Sequence, residues 1–171
     1  MNDIIINEAR TPAEIDAVRD LCWAYRDFLL NNSPVDQEIT ETFYPTAKYE
    51  DLMQDLPKLH ARPKGIMLLA TDASGTPVGC GMTHALNDTT AEIKRVYVSE
   101  TVRGQGVARQ ICTRLIDQAR ADGFANIVLD TSKSLTAAQA LYDRLGFTRR
   151  GPYQPIPEDV LPELLFFELT L

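Results

Sequence analysis

Apolar positions along the chain fall into short β-branched runs separated by longer stretches with helical spacing. Ile4-Ile5-Ile6 predicts a first strand. Thr11-Pro12-Ala13-Glu14 predicts a helix start, with a Thr cap, Pro at the first helical position and Glu three residues after the Thr. Ile15, Val18, Leu21, Cys22, Tyr25, Phe28 and Leu29 follow at helical spacing, and Asn31-Asn32-Ser33-Pro34 ends the helix. Residues 35–62 are polar and read as partly helical, with Leu52, Leu56 and Leu59 on one face. Ile66 to Thr71 and Val78 to Ala85 predict a hairpin across an Asp-Ala-Ser-Gly-Thr-Pro turn, and Ala91 to Val98 a third strand-like run. A helix opens at Gly104 and Gly106 and runs to about Gly123. Ile127-Val128-Leu129 is a buried strand, and residues 136–145 are a helix closed by Gly146. Phe147 to Arg150 and Leu164 to Leu169 read as closing strands around a Pro-rich loop.

Composition narrows the class. At 171 residues, with 44% hydrophobic positions, the chain suits one domain that needs neither disulfides nor metal to bury a core. No apolar run reaches the ~18 residues of a membrane span, and Met1-Asn2-Asp3 opens no signal peptide. Cys22, Cys80 and Cys112 are widely spaced and read as reduced, buried thiols of a cytoplasmic protein. The net charge of −7 sits entirely in residues 1–60, which hold 12 acids and 5 bases; residues 61–171 balance 12 with 12. A negative chain without a basic tail argues against nucleic-acid binding. The acidic third suggests steering of a cationic ligand.

The segment that bears chemistry is Arg103-Gly104-Gln105-Gly106-Val107-Ala108, followed by Arg109, between a strand and a helix. Two glycines let backbone approach a ligand, and a helix start offers unpaired N–H groups to an anion. A P-loop would need a Lys that is absent here. A dinucleotide fingerprint would need a third Gly where Arg109 stands. The pattern [QR]xxGx[GA] is met by Arg103, Gly106 and Ala108, and a plain helix cap remains open.

Together with Ala91-Glu92-Ile93-Lys94-Arg95-Val96-Tyr97-Val98 and Leu141-Tyr142 before Gly146-Phe147, this loop resembles the GCN5-related N-acetyltransferase (GNAT) family over about residues 66–150. The resemblance implies an α/β (α+β) fold: a mixed, mostly antiparallel sheet of about seven strands, splayed at the cofactor site and flanked by about four helices. The cofactor core would be residues 66–150, with acceptor-side helices in residues 11–62. It implies acetyl-CoA as co-substrate and no metal. The pyrophosphate would lie on the backbone of Arg103, Gly104, Gln105, Gly106, Val107, Ala108 and Arg109, and the pantetheine arm along Val96, Tyr97 and Val98. Leu135 stands where many family members carry an Asn that touches the pantetheine side.

A thioester already carries a good leaving group, so an amine held close attacks it directly. The remaining tasks are proton removal, oxyanion stabilisation and protonation of the thiolate. By the resemblance, Glu92 is the base, its carboxyl raised by partial burial, or else it pairs with Lys94 along the strand face. Tyr142 is the acid, and the backbone N–H of Val96 the oxyanion donor. Lys94-Arg95 reads more simply as surface charge. His60 and His84 make no metal pair, although His84 ends the strand beside that of Glu92. Tyr25, Phe28, His84 and Tyr153 are candidates for the acceptor pocket. The expected activity is acetyl transfer to a primary amine of a small molecule or peptide, with no nucleic-acid or membrane partner and a homodimer left open. The alternatives are a non-catalytic acyl-CoA sensor, or a transferase for another acyl group.

Overall fold

The computed structural model describes residues 3–171; Met1 and Asn2, part of the stretch read above for a signal peptide, lie outside the described residues. The elements in chain order are β1 (Ile5–Glu8), α1 (Pro12–Asn32), α2 (Pro34–Phe43), α3 (Thr46–Leu59), β2 (Ile66–Thr71), β3 (Pro77–Ala85), β4 (Thr90–Val98), α4 (Val107–Ala121), β5 (Asn126–Ser132), α5 (Thr136–Arg144), β6 (Thr148–Arg150) and β7 (Leu164–Thr170). The strands form one sheet in the order β1-β2-β3-β4-β5-β7-β6, antiparallel throughout except for the β4–β5 pair. Among the described residues there are five α-helices against the four or so expected, because the stretch after α1 holds two.

Local chemistry sets the helix ends. The Thr11 side chain accepts from the Glu14 N–H at 3.2 Å, and the Glu14 carboxylate accepts from the Thr11 N–H at 2.9 Å, completing the capping box. Ser33 ends α1 and caps α2 in the same residue, accepting from the Asp36 N–H at 3.0 Å, with Pro34 opening the new helix. In α3 the buried face is Tyr49, Met53 and Leu56, while Leu59 is 46% exposed. Of the expected leucine stripe, Leu56 is buried and Leu52 packs partly against the core, and Leu59 alone turns out to solvent. The Tyr49 hydroxyl donates to the Cys22 carbonyl at 2.7 Å, which turns the helix toward Tyr49 and Met53 rather than Leu59.

Both faces of the sheet are covered, so β2 is a continuous apolar run. Ile66, Leu68 and Ala70 belong to the core under α4, and Met67 and Leu69 to the core under α1 and α3. Helix α4 lies close over β3: a Cβ on Gly81 would sit 2.6 Å from Ile111 Cγ2.

Two irregularities open the sheet at its centre. β4 pairs with β5 only over Thr90↔Asn126, Ala91↔Ile127 and Glu92↔Val128, after which the parallel strands diverge. On its other side, β4 carries a bulge between Tyr97↔Cys80 and Lys94↔Met82, where Arg95 and Val96 stand against Gly81. Arg95 takes φ +51°, the left-handed region that non-glycine residues rarely enter.

Candidate active site

Glu92 is the last residue of β4 paired to β5 and is 1% exposed. A buried carboxylate must be satisfied by charge and hydrogen bonds, and three side chains do this. His84, directly across the β3–β4 ladder, places Nε2 2.6 Å from Oε1. The Tyr153 hydroxyl donates to Oε2, and Lys94 Nζ lies 3.4 Å from the same oxygen. Burial alone would raise this carboxyl, but the His84 bond, the Lys94 charge and the Tyr153 hydroxyl outweigh it and hold it below the usual carboxylate range. The expectation of a raised Glu92 is thus corrected, while the expected pairing with Lys94 along the strand face is present at 3.4 Å; the Tyr153 contact comes from a distant loop.

Asp130 is the second carboxylate here. It stands on β5 two residues beyond the last β4 pairing, and its Oδ2 lies 3.3 Å from the Tyr153 hydroxyl and 3.4 Å from Gln154 Nε2. Burial pushes the Asp130 carboxyl up; the nearby Glu92 charge adds to this, while Lys94 and the Tyr153 bond oppose it. Tyr153 therefore joins two carboxylates of opposite tendency. Its ring stands edge-on to Phe166, with centroids 5.8 Å apart, which fixes the loop on the sheet.

Where β4 and β5 part, a cavity of about 130 Å³ opens toward α1 and α2. Tyr25 and Leu29 of α1 and Ile39, Thr40 and Phe43 of α2 form one wall; Lys94, Arg95, Asp130 and Ser132 line the other side. Glu92 is not among its lining residues, but Asp36, Lys94, Arg95 and Asp130 are. Lys94 and Arg95 both reach the cavity because the bulge breaks the period-2 alternation of β4, so the surface-charge reading of this pair is corrected.

Helix α4 starts at Gly106, which has φ +78° and no side-chain cap. Gly104 also has φ +78°, and the space where either Cβ would stand is open. With no acid in the first turn and exposed Arg103 and Arg109 beside it, this end has the chemistry of a diphosphate cradle. Beyond Glu92 the β5-facing edge of β4 has no strand partner among the described residues, so an extended amide arm has backbone to pair with. The residues present therefore fit coenzyme A.

The remaining expected residues divide. Val96, Tyr97 and Val98 lie on that open edge, Val96 within the bulge. Tyr142 is buried on α5 against Phe147 and Phe167, at ring separations of 5.8 and 5.6 Å. Burial keeps its phenol protonated far above the usual range, and Tyr25 and Asp130 are among its electrostatic neighbours. Tyr25 lines the cavity, with its ring 5.7 Å from that of Tyr97. His84 and Tyr153 gather on Glu92. Phe28 instead lies under the Arg103 guanidinium, 4.9 Å from the ring centroid, bracing the loop rather than the cavity. Asp36 and Asp130 went unnoticed as site residues, and Arg95 was set aside as surface charge rather than a phosphate clamp. An Asp closing the apolar Ile127-Val128-Leu129 run was the one available signal.

An open sheet split between two parallel strands, with an anion cradle on the helix that follows, is a crevice suited to a phosphate-bearing ligand. The family model of the Acetyltransferase (GNAT) family matches residues 29–147. An IAA acetyltransferase of Azospirillum brasilense is 38% identical over 109 residues, 62% of this chain and 69% of that protein. An uncharacterized N-acetyltransferase of Schizosaccharomyces pombe is 30% identical over 171 residues, 95% of each chain. Among solved structures, a GCN5-related N-acetyltransferase from Kribbella flavida superposes with TM-score 0.72 at 20% identity, covering 98% of both chains. The PaiA N-acetyltransferase of Thermoplasma acidophilum, solved in complex with coenzyme A, gives 0.73 at 14% identity over 99% of both. This chain belongs to the GNAT acetyltransferase family.

Proposed function

We propose that the protein transfers an acetyl group from acetyl-CoA to a primary amine of a small molecule or peptide. The observation that carries this reading is the cavity at the β4–β5 gap, where the Asp130 carboxyl, raised by burial, faces the space that an amine would fill. Acetyl-CoA bound along the open edge would supply an acyl carbon that already carries a thiolate leaving group. The amides from Gly104 to Arg109 hold its diphosphate, and the edge of Val96 to Val98 holds its amide arm. Asp130 takes the proton of the attacking ammonium. Glu92, saturated by His84, Lys94 and Tyr153, positions Asp130 through the shared Tyr153 hydroxyl and keeps it basic by like charge. The Val96 N–H, at the bulge, donates to the thioester oxygen. Tyr142, kept protonated by burial, gives its proton to the departing sulfur and is restored by the second proton that the nitrogen sheds as the tetrahedral intermediate collapses to the amide.

The compartment is read as cytoplasmic from three buried thiols left unpaired. The test is free-thiol release from acetyl-CoA against a panel of amines, amino acids and peptides. Amine-dependent release is the expected result. Tight CoA binding with no release from any acceptor would refute catalysis and leave an acyl-CoA sensor. Release only from a longer acyl-CoA would assign a different acyl group.

A further inference from the structure

Two buried side-chain polar atoms lack a hydrogen-bond partner among the described residues, Arg95 Nε and Asp36 Oδ1, and both residues line the same cavity. One is a donor on a cation and the other an acceptor on an anion. They do not satisfy each other, and no carboxylate among the described residues lies within 4 Å of the Arg95 guanidinium. Its neighbours are uncharged: the Tyr44 ring 5.9 Å away, Met82 Sδ at 3.6 Å and His60 Nε2 at 3.4 Å. His60 is buried, which pulls its imidazole down to about 3. Its neutral ring donates from Nδ1 to the Thr83 carbonyl at 2.9 Å, so Nε2 is left as an acceptor facing Arg95 Nη1. The fold thus aims Arg95 with neutral acceptors and supplies no counter-charge.

A guanidinium against a cavity wall needs an anion, and a planar fork matches a carboxylate. Lys94 differs, because Glu92 already neutralises it at 3.4 Å. On the facing wall, Asp36 is 2% exposed; its Oδ2 accepts from Asn32 Nδ2 at 2.7 Å and from the Ser134 hydroxyl, while Oδ1 waits for a donor. We infer that the acceptor amine is an amino acid: its carboxylate binds Arg95, and a donor on its body reaches Asp36. This rests on the acetyltransferase reading and narrows its acceptor. It also replaces the simple cation suggested by the acidic first third, since a purely cationic amine would leave Arg95 unpaired and repelled.

The experiment titrates the CoA-loaded protein calorimetrically with L-amino acids and with the carboxamide of each, so no turnover is needed. At least one acid is expected to bind about 10–100-fold tighter than its own amide, the range of a charge-assisted pair. Arg95→Gln is expected to bring that ratio within about threefold of unity. Arg95→Lys keeps the charge but loses the fork, and should lower the ratio at least about threefold; it serves if the Gln variant fails to load CoA. No acid binding tighter than its amide, or a ratio that survives both substitutions, overturns the inference. Arg95-dependent binding without thiol release would sink the catalytic reading and leave the carboxylate site standing as an amino-acid binding site. Thiol release indifferent to the carboxylate would do the reverse.

Discussion

Replacing Tyr153 by Phe removes one oxygen from the centre of the site. That hydroxyl donates to Glu92, a carboxylate 1% exposed, and lies 3.3 Å from Asp130. A hydrogen bond to a buried charge contributes about 1.5–3 kcal/mol. Lys94 remains 3.4 Å from the same Glu92 oxygen, so the loss should fall near the lower end, about 1.5–2 kcal/mol. For a chain of this size that is a fall in Tm of roughly 3–8 °C at neutral pH. The sign with pH follows from the depressed Glu92 carboxyl. Its contribution is present above the unfolded carboxylate value and is lost as pH falls through the folded one. Tyr153→Phe weakens the depression, so acid unfolding should begin at a higher pH than in the wild type. Activity should respond as well. The hydroxyl helps to hold down an Asp130 carboxyl that burial pushes up, so its loss should move the acidic limb of kcat/KM to higher pH. Thermal melts at several pH values and thiol-release profiles measure both. A Tm within about 1 °C of wild type together with an unmoved limb would show that the hydroxyl is idle and refute the linked-carboxylate argument.

Asp130→Asn should lower kcat about 10²–10⁴-fold and leave acetyl-CoA affinity intact; a larger fall in Glu92→Gln than in Asp130→Asn would hand the proton to Glu92. Tyr142→Phe should lower turnover about 10–1000-fold with little change in acetyl-CoA binding, and unchanged turnover removes it from the mechanism. Gly106→Ala forces a side chain into φ +78°. It should cost about 1 kcal/mol in denaturant unfolding and weaken CoA binding, whereas wild-type values in both would mean that the loop tolerates a Cβ.

Much of this was legible in the residues, and for physical reasons. The Thr11 box, the Ser33-Pro34 break and the two loop glycines are local devices, readable without tertiary context. The apolar runs of β2 and β5 announce strands buried on both faces. What stayed hidden depends on long-range placement. Leu59 looked equivalent to Leu56 until Tyr49 reached Cys22. Lys94-Arg95 looked like surface charge because strict alternation sends one residue of a pair outward, and the bulge opposite Gly81 cancels that rule. Glu92 was singled out together with its Lys94 pairing, but the approach of Tyr153 from a distant loop was not, and the combined partners lower a carboxyl that burial alone would raise.

The corner at Ser33 has a further consequence. Helix α2 turns off α1 at one residue and is fastened to the turn after β5 through Asp36 and Ser134. It presents Ile39, Thr40 and Phe43 to the cavity, while the Gly104–Arg109 loop, Glu92 and Asp130 belong to other stretches of chain. The α2 share of that wall, beside Tyr25 and Leu29 of α1, is thus a separately mounted panel of about ten residues. Exchanging its inward side chains would re-cut the acceptor space and leave the cofactor groove and the proton path untouched. A scaffold partitioned in this way can diversify its clientele by drift within residues 34–44 alone.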